Sequence, residues 1–482
     1  MTETHYQYID GVWTDGDSTD EITVRDPAAP EDPIVAFSGA SETQAEEAVS
    51  AAAAASDNWA ATTPDDRDTI LYEVAERIDA NRDALAETLT REEGKPISSG
   101  RGEVSRAAEI FRFFASYARS ATGETIPSSD PETLTYTVRE PLGVVTLITP
   151  WNFPIATPSW KLATALATGN TVVLKPSSET PMIAKQLVEL LAEVGVPNGV
   201  VNLVVGSGST VGDALTTDER VDGVSFTGST ETGQHIAETV ATRGIPIQTE
   251  MGGKNPQVVL PDADLEAAAD AAISGAFGGC GQACTATSRL IVHEDVADEL
   301  TAAVVERAEA LSIGPGLDDP DIGPAVSAGE NETNLEYIEV AEKEGATLQT
   351  GGGQPATPEA GYFVEPTVFT DVEPGMRIAQ EEVFGPVLGV IEVADFDEAV
   401  RVANDVNYGL SASIFTTNMA KSRSFTKQIE AGVVKINGTT TGSHVQMPFG
   451  GMKASSSETQ KELGQHAYEF YTHEKAIYRS DP

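Results

Sequence analysis

Apolar residues recur at helical spacing through the first quarter of the chain. Between positions 64 and 122, Ile70, Leu71, Val74 and Ile78 repeat every three or four residues, which predicts the buried face of an amphipathic helix. Further helices are predicted over an alanine-rich segment at 42–57 and over 104–117. An alternating segment at 134–138 is typical of a strand. The first quarter is therefore expected to be mostly helical, behind an amino-terminal arm at 1–58.

From position 141 the pattern changes to short β-branched runs that alternate with helical segments. The runs lie at 142–148, 171–174, 200–205, 221–226 and 245–249, and helical spacing occurs between them at 160–167, 181–194, 210–216 and 232–242. Strands that alternate with helices predict a parallel sheet covered by helices on both faces. The expected fold class is α/β, of the nucleotide-binding type.

A second series of the same kind begins at 257. It comprises helices at 265–277 and 296–311, a strand at 290–293, a Gly- and Pro-rich link at 314–353, and strands at 364–369, 387–393, 411–415 and 433–436. We place the boundary between the two series near Met251. The tail at 467–478 alternates in part, so it is expected to add a strand to a neighbouring sheet or subunit.

The composition changes this picture in two ways. A chain of 482 residues is too long for one compact core, so two or three domains are expected. Its 75 Asp and Glu against 30 Lys and Arg give a net charge of −45, and the carboxylates are spread through every periodic segment. Such a surface repels itself, and it is tolerable mainly where salt screens it. We expect a salt-rich cytoplasm, with neither nucleic acid nor a membrane as partner.

The cysteine content also favours a reducing cytoplasm. Cys280 and Cys284, four residues apart, cannot form a disulfide framework. No apolar run reaches membrane-spanning length, and residues 1–6 do not open a signal segment. We expect no metal site.

Two glycine-rich turns follow predicted strands and open onto predicted helices. The first, at 206–212, includes Gly208 and Gly212 and departs by one residue from the dinucleotide fingerprint. An ordinary strand-to-helix turn explains it almost as well. The second includes Phe226, Gly228 and Ser229 and repeats the arrangement one strand later. Free N–H groups at such helix N-termini favour a pyrophosphate.

A thiol surrounded by small residues is the strongest candidate for chemistry. Cys284 lies in the segment Gly281-Gln282-Ala283-Cys284-Thr285-Ala286-Thr287. Small side chains let a carbonyl carbon and a flat cofactor ring approach a thiolate, which attacks carbonyls well. Free cysteines are also often buried simply as small apolar residues. Taken alone, the segment leaves both explanations open.

Seven motifs together carry a family resemblance. In chain order they are Thr149-Pro150-Trp151-Asn152-Phe153-Pro154, Lys175-Pro176-Ser177, Phe226-Thr227-Gly228-Ser229, Glu250-Met251-Gly252-Gly253-Lys254, the Cys284 segment, Glu381-Glu382-Val383-Phe384-Gly385-Pro386 and Pro448-Phe449-Gly450-Gly451. They closely resemble the aldehyde dehydrogenase superfamily over essentially the whole chain. The resemblance implies a Rossmann-type cofactor domain at 1–122 and 141–251, an α/β catalytic domain at 252–445, and a small β bridging element at 123–140 and 465–482. Members assemble as homodimers or homotetramers through that element.

The resemblance also implies three catalytic roles. Cys284 matches the nucleophile that adds to the aldehyde, and Asn152 matches the oxyanion donor. Glu250 matches the base that activates water to hydrolyse the thioester, and its presence argues against members that pass the acyl group to coenzyme A. Cys280 matches no family role and is expected to pack in the core.

Cofactor contacts follow from the same resemblance. The matching residues are Thr149, Trp151, Lys175, Ser178, Gly208, Gly212, Phe226, Gly228, Ser229, Glu382 and Phe384. Lys175 and Ser178 match the adenosine-ribose side, and Glu382 matches the carboxylate that holds the nicotinamide ribose. Ser178 stands where NAD-preferring relatives carry a Glu, so room remains for a 2′-phosphate. We therefore expect NADP as cofactor, with NAD possible.

The substrate prediction depends on the tunnel and the C-terminal block. Matching positions place Arg106, Phe153 and Trp160 along the tunnel, where Arg106 is either a carboxylate-binding group or a solvated helix residue. Succinate semialdehyde is not favoured, because Trp160 and Gly278 stand where its enzymes carry arginines. The block at 454–464, with Lys461 in place of the usual Arg, resembles 2-oxoglutarate semialdehyde (2,5-dioxopentanoate) dehydrogenases of pentose degradation. A dehydrogenase of glyceraldehyde or another short aldehyde, or a catalytically silent protein on this fold, are the alternatives.

Overall fold

The computed structural model describes residues 5–31, 33–119, 123–358, 360–457 and 459–480. Residues 1–4 of the amino-terminal arm, residues 120–122 at the predicted domain boundary and Glu458 of the C-terminal block lie outside the described residues. In chain order, the strands are β1 (Gln7–Ile9), β2 (Val12–Thr14), β3 (Glu21–Arg25), β4 (Pro33–Ser38), β5 (Thr125–Ile126), β6 (Thr133–Pro141), β7 (Val144–Ile148), β8 (Thr171–Lys175), β9 (Val201–Leu203), β10 (Gly223–Thr227), β11 (Ile247–Glu250), β12 (Asn255–Val259), β13 (Thr287–His293), β14 (Thr347–Thr350), β15 (Thr367–Thr370), β16 (Val387–Val393), β17 (Tyr408–Gly409), β18 (Ser411–Phe415), β19 (Val433–Ile436), β20 (Met452–Lys453) and β21 (Thr472–Ser480).

The α-helices cover both sheets and link their strands. They are α1 (Glu42–Ala60), α2 (Pro64–Ala80), α3 (Arg82–Glu93), α4 (Ile97–Tyr117), α5 (Ala156–Ala167), α6 (Pro181–Glu193), α7 (Asp213–Thr217), α8 (Thr230–Ala241), α9 (Leu265–Phe277), α10 (Glu294–Glu309), α11 (Ala328–Glu344), α12 (Arg377–Gln380), α13 (Phe396–Asn404), α14 (Met419–Gln428) and α15 (Gly464–Phe470). A π-helical turn, Gly208–Gly212, precedes α7.

The first sheet has seven strands in the order β11-β10-β7-β8-β9-β1-β2. The five strands from β11 to β9 are parallel, and β1 and β2 extend the sheet antiparallel. Every residue of β7 and β8 is buried, as expected for strands that helices cover on both faces. The predicted α/β parallel sheet is confirmed.

The second sheet also has seven strands, in the order β14-β15-β16-β13-β12-β18-β19. All neighbouring pairs are parallel except β14 with β15. Two smaller pairs, β3 with β4 and β17 with β20, stand outside the large sheets. No helix among the described residues is both long and apolar enough to span a membrane.

A third sheet joins the tail to an earlier segment in the order β21-β6-β5. Strand β21 runs antiparallel to β6 from Thr472 opposite Pro141 to Ser480 opposite Thr133. The predicted strand of the tail therefore forms from Thr472 onward, whereas residues 467–470 of the predicted range belong to α15. The domain bounds and the role of this sheet in assembly stay predictions.

The Gly- and Pro-rich link predicted at 314–353 is wrong from residue 328 onward. Helix α11 spans 17 residues there, and β14 follows it. The helix has no apolar stripe to detect, because Asn331 and Asn334 lie on its buried side together with Ile338 and Ala341. Its ends carry ordinary signals, since the side chain of Ser327 caps its N-terminus and a following glycine adopts a left-handed conformation.

Candidate active site

The carboxyl ends of the five parallel strands of the first sheet, β11, β10, β7, β8 and β9, meet at one edge. The register aligns Glu250 with Thr227 across β11 and β10. Ile148 lies beside Phe226 on one side and beside Lys175 on the other. Because these strands are parallel, the loops that follow them all start at this edge. Those loops carry most of the predicted cofactor residues, namely Thr149 and Trp151 after β7, Ser178 after β8, Gly208 and Gly212 after β9, and Gly228 and Ser229 after β10.

The second sheet contributes the cysteine loop, which lies between α9 and β13. Asn255 holds the loop, because its Nδ2 donates to the carbonyl oxygens of Cys284 at 2.8 Å and Ala286 at 2.9 Å. Thr440 Oγ1 donates to the carbonyl oxygen of Thr285 at 2.7 Å. A Cβ at Gly253 would lie 2.4 Å from the Cys284 carbonyl oxygen, so only glycine fits there. The thiol is thus carried on a loop that polar contacts fix on both sides.

A cavity of about 650 Å³ lies between the two sheets, within the size range of small-molecule sites. Of the predicted residues, it is lined by Arg106, Trp151, Asn152, Phe153, Trp160, Gly228, Ser229, Cys284, Glu382 and Phe384. The predicted residues outside its lining are Thr149, Lys175, Ser178, Gly208, Gly212, Phe226 and Glu250. Phe226 instead packs in a hydrophobic cluster of the first sheet, and the others follow the strand ends described above.

Asn152 and Cys284 face the same cavity from opposite sheets. The Asn152 Nδ2 donates to the carbonyl oxygen of Gln282, two residues before the thiol, at 2.9 Å. An amide nitrogen has a second N–H, which remains for an oxygen beside the sulfur. Burial, then the nearby carboxylates of Glu382 and Glu250, raises the pKa of the Cys284 thiol. Attack on a carbonyl carbon requires removal of the thiol proton, because the thiolate is the nucleophile.

Glu250 lies behind the cavity wall, at the end of β11. It is buried, and its Oε2 accepts a hydrogen bond from the backbone N–H of Gly451 at 3.2 Å. The Oε1 atom has no partner among the described residues. Burial, with the neighbouring Glu462 carboxylate, raises the pKa of Glu250, while Lys461 and Lys161 oppose the shift. A buried carboxyl group with a raised pKa and a free oxygen is suited to accept a proton from water.

Glu382 and the aromatic rings of Trp151 and Phe384 line the cavity. Its Oε1 accepts a hydrogen bond from Gly253 N at 2.9 Å, and burial raises the pKa of Glu382 to about 7. A Cβ at Gly252 would lie 2.1 Å from Glu382 Oε2, so glycine is required for this approach. The rings of Trp151 and Phe384 meet edge to face with centroids 5.3 Å apart. A carboxylate next to flat rings fits a ribose and its nicotinamide.

Lys175 and Ser178 lie at the carboxyl end of β8, on the same sheet edge. Lys175 is buried, and among the described residues its Nζ has one long hydrogen bond, of 3.5 Å to the Pro176 carbonyl oxygen. Burial lowers the pKa of Lys175 to about 8. Ser178 Oγ donates to the Gly206 carbonyl oxygen at 3.4 Å. A buried ammonium group with spare donors near a helix N-terminus fits the polar part of a nucleotide.

Arg106 lines the cavity from α4. Its Nη1 donates to Glu109 Oε2 at 2.6 Å, and its Nη2 donates to the carbonyl oxygen of Ser443 at 3.0 Å. The side chain is 20% exposed, and its remaining N–H groups are available to a ligand. Trp160 packs edge to face against Phe449, with centroids 5.3 Å apart. The cavity lining therefore combines aromatic side chains with the Arg106 guanidinium group and other charged side chains.

Four polar residues that hold this site were missing from the sequence predictions. They are Gln282, Asn255, Lys95 and Glu103. Glu103 had a detectable signal, because it follows the spacing of the buried positions Gly100, Ala107, Ile110 and Phe114 on α4. The other three carry no pattern of their own. Among the described residues, no group of three or more His, Cys, Asp or Glu side chains is placed to hold a metal ion.

Comparison with known proteins identifies the class to which this fold and cavity belong. Residues 13–477 match the model of the aldehyde dehydrogenase family. The chain therefore belongs to the aldehyde dehydrogenase family, and it is an enzyme that oxidises aldehydes to carboxylates with a nicotinamide cofactor. The family resemblance carried by the seven motifs is confirmed.

Individual relatives within the family are named for particular aldehyde substrates. Over 482 residues, all of both chains, the sequence is 50% identical to an α-ketoglutarate semialdehyde dehydrogenase of Haloferax volcanii. It is 43% identical to a 2,5-dioxopentanoate dehydrogenase of Saccharolobus solfataricus, over 98% of this chain and 99% of that protein. A crystal structure of betaine aldehyde dehydrogenase from Staphylococcus aureus in complex with NAD+ superposes with a TM-score of 0.96 at 38% identity, over 99% of this chain and 94% of that one.

Proposed function

We propose that this enzyme oxidises 2-oxoglutarate semialdehyde to 2-oxoglutarate. The observation that carries the proposal is the cavity that Cys284, Asn152 and Arg106 share. The aldehyde end of a short oxo acid would lie at the thiol, and its carboxylate would lie at the guanidinium group. Two relatives that match over nearly their full length are named for this substrate, and they support the proposal.

The chemistry assigns one task to each of three side chains. The Cys284 sulfur, once deprotonated, bonds to the aldehyde carbon, and Asn152 Nδ2 and a backbone N–H stabilise the oxygen that becomes negative. A bound nicotinamide cofactor would supply the acceptor for the hydride of that carbon. The carbon–sulfur bond of the resulting thioester is then broken by water, and Glu250 takes the water proton. The products are the carboxylate, the reduced cofactor and the regenerated thiol.

Replacing Arg106 tests the substrate proposal. Arg106→Ala is expected to raise KM for 2-oxoglutarate semialdehyde about tenfold to a hundredfold, because a charge-assisted hydrogen bond to a carboxylate is lost. KM for propanal, which has no carboxylate, should stay within about twofold. The measurement is the initial rate of cofactor reduction, followed by the absorbance of the reduced nicotinamide, with each of the two substrates.

Arg101→Ala is the matched control for this test. Arg101 lies on the same helix, but it is exposed and pairs with Asp83 away from the cavity. This variant should leave both KM values unchanged. Equal effects of Arg106→Ala on the charged and the uncharged aldehyde would contradict the proposal and favour a short-aldehyde dehydrogenase.

We also propose that NADP is preferred over NAD. The small Ser178 side chain, three residues after the buried Lys175, supports this choice, since a hydroxyl group does not repel a phosphate as a carboxylate does. Ser178→Glu is expected to shift the ratio of kcat/KM toward NAD by about tenfold or more, because a carboxylate repels the 2′-phosphate. Steady-state kinetics with both cofactors measure the ratio.

Ser178→Ala controls for the loss of the hydroxyl group alone. It adds no charge, so the cofactor ratio should change by less than about threefold. A clear preference of the wild-type enzyme for NAD would rule out the NADP proposal, whatever the variants do.

The remaining proposals concern the setting in which the enzyme works. We infer a cytoplasmic homodimer or homotetramer assembled through the β21-β6-β5 sheet. A surface with a net charge of −45 suits a salt-rich cytoplasm, because salt screens its self-repulsion. The affinity of such a surface for nucleic acid or anionic membranes is expected to be low.

A further inference from the structure

A buried charged cluster lies behind the loop that carries Asn152, and the mechanism above does not use it. The cluster consists of Glu93, Lys95 and Glu103, which are 1%, 6% and 6% exposed. Lys95 Nζ donates to Glu103 Oε2 at 2.6 Å and lies 3.7 Å from Glu93 Oε1. The Oε2 atom of Glu93 accepts the backbone N–H of Lys95 at 2.8 Å. All three residues also line the cavity.

The cluster forms hydrogen bonds with three backbone atoms of the Asn152 loop. Lys95 Nζ donates to the carbonyl oxygen of Asn152 at 2.7 Å. Glu103 Oε1 accepts hydrogen bonds from the N–H groups of Ile155 and Ala156, both at 3.1 Å. These N–H groups open helix α5, where a carboxylate satisfies donors that have no partner within the helix. The loop between Asn152 and Ala156 is therefore held at both ends by one ion pair.

The side chain of Phe153 adds a further contact. Its ring lies 4.6 Å from Lys95 Nζ, measured to the ring centroid, so the ammonium group faces the ring as well as the carboxylates. Burying three charged groups costs free energy, and an apolar core of the same volume would often be as stable. A contribution to stability is therefore a weak explanation for three buried charges. Fixing the geometry of the Asn152 loop is a better explanation, because charge-assisted hydrogen bonds restrict direction as well as distance.

We infer that Lys95 and Glu103 are positioning residues that hold the carboxamide of Asn152 at the oxyanion of the reacting aldehyde. This inference rests on the proposed function, in which Asn152 is the oxyanion donor. The ion pair fixes the main chain of Asn152, while the hydrogen bond to Gln282 fixes its side chain relative to the thiol. Lys95 and Glu103 also line the cavity, but neither is assigned a contact with the reacting atoms. Both act through Asn152.

The test is a double-mutant cycle between Glu103 and Asn152. Glu103→Gln keeps the shape of the side chain but replaces one acceptor oxygen with an NH2 donor, so the contact with Lys95 or the contacts with Ile155 and Ala156 are lost and the loop is released. We expect the burst of cofactor reduction, followed by stopped flow with propanal, to slow about tenfold to a hundredfold. Asn152→Ala should slow it about a hundredfold to a thousandfold. The double variant should be no slower than Asn152→Ala within about threefold, because both changes remove the same interaction.

Two further measurements separate positioning from stability. With propanal deuterated at the aldehyde carbon, the Glu103→Gln variant should show a larger isotope effect on the steady-state rate than wild type, since hydride removal becomes limiting. Glu92→Gln is the matched control. Glu92 is as deeply buried, but it accepts hydrogen bonds from Met182 and Ile183 at the start of α6, away from the Asn152 loop. The Tm of this variant should fall, while its burst rate should stay within about threefold of the wild-type rate.

Each outcome supports or overturns the inference. The inference would be overturned if the rate losses of the two single variants multiply in the double variant, or if Glu103→Gln shows a wild-type burst. In either case, a slow burst in Asn152→Ala would still support the proposed function. A wild-type burst in Asn152→Ala would overturn the oxyanion role and this inference together. If Glu103→Gln does not fold, Glu103→Asp replaces it, because the shorter carboxylate keeps the charge but withdraws from Ile155 and Ala156. The same coupling with Asn152→Ala is then expected.

Discussion

Cys284→Ser is expected to lower the rate of aldehyde oxidation by at least about a thousandfold, because a hydroxyl group is a far weaker nucleophile than a thiolate. The fold should persist, since the loop is held by Asn255 and Thr440 through its backbone and not through the sulfur. The measurement is cofactor reduction at high enzyme concentration, together with Tm. Iodoacetamide should inactivate the wild-type enzyme, and more quickly as pH rises, because the thiol has a raised pKa.

Cys280→Ser is the matched control, since the same atom is exchanged four residues away. Cys280 is 1% exposed and packs in the cluster around α9, and burial raises the pKa of its thiol to about 12. Its replacement should change the rate by less than about threefold, although burying a hydroxyl group there costs some stability. A large loss of rate in Cys280→Ser with little loss in Cys284→Ser would exchange the roles of the two thiols.

Glu250→Gln is expected to lower the steady-state rate about a hundredfold to a thousandfold and to leave the first turnover intact. The amide cannot take a proton from water, so the acyl group stays on the sulfur after the cofactor has been reduced. One reduced cofactor per active site should appear as a burst. In the wild-type enzyme, breakdown of the thioester should accelerate as pH rises through the raised pKa of Glu250, because only the ionised form is a base. The variant should lose this pH dependence.

Hydroxylamine provides the control for this arrested state. It attacks a thioester without a protein base, so it should restore turnover in Glu250→Gln and release a hydroxamate. It should not restore Asn152→Ala, in which the thioester forms slowly. A Glu250→Gln variant with neither a burst nor rescue would mean that Glu250 acts before the thioester and not on it.

The alternation of apolar runs with helices carried enough information to predict the parallel sheet, because fully buried strands require continuous apolar segments. Strands β16, β18 and β19 coincide with the predicted ranges at 387–393, 411–415 and 433–436. The same reasoning failed on α11, whose buried side contains two asparagines. Buried asparagines need hydrogen-bond partners, and those partners come from other parts of the fold. The apolar pattern of the helix alone therefore does not show which side is buried.

The motif resemblance identified the family, and most of its residues line one cavity or follow one sheet edge. The roles of Cys284, Asn152 and Glu250 are still predictions that the variants above test. Arg106 was left open between a carboxylate-binding group and a solvated residue. It lines the cavity, and it is already engaged by Glu109 and Ser443. The sequence could not decide between the two roles of Arg106. One of its partners, Glu109, lies one turn away on the same helix, but the other, Ser443, lies on a loop that only the fold brings close.

The sequence by itself determined the fold class, the family and the order of the residues that meet at the site, since these depend on local periodicity and on motifs that are contiguous in the chain. Only the tertiary structure decided that Lys95 and Glu103 lie behind Asn152, and that Glu250 lies behind the cavity wall next to Gly451. The physical reason is that buried charges are tolerated only when partners meet them in space. Those partners lie 57 and 201 residues away along the chain, and only folding brings them together.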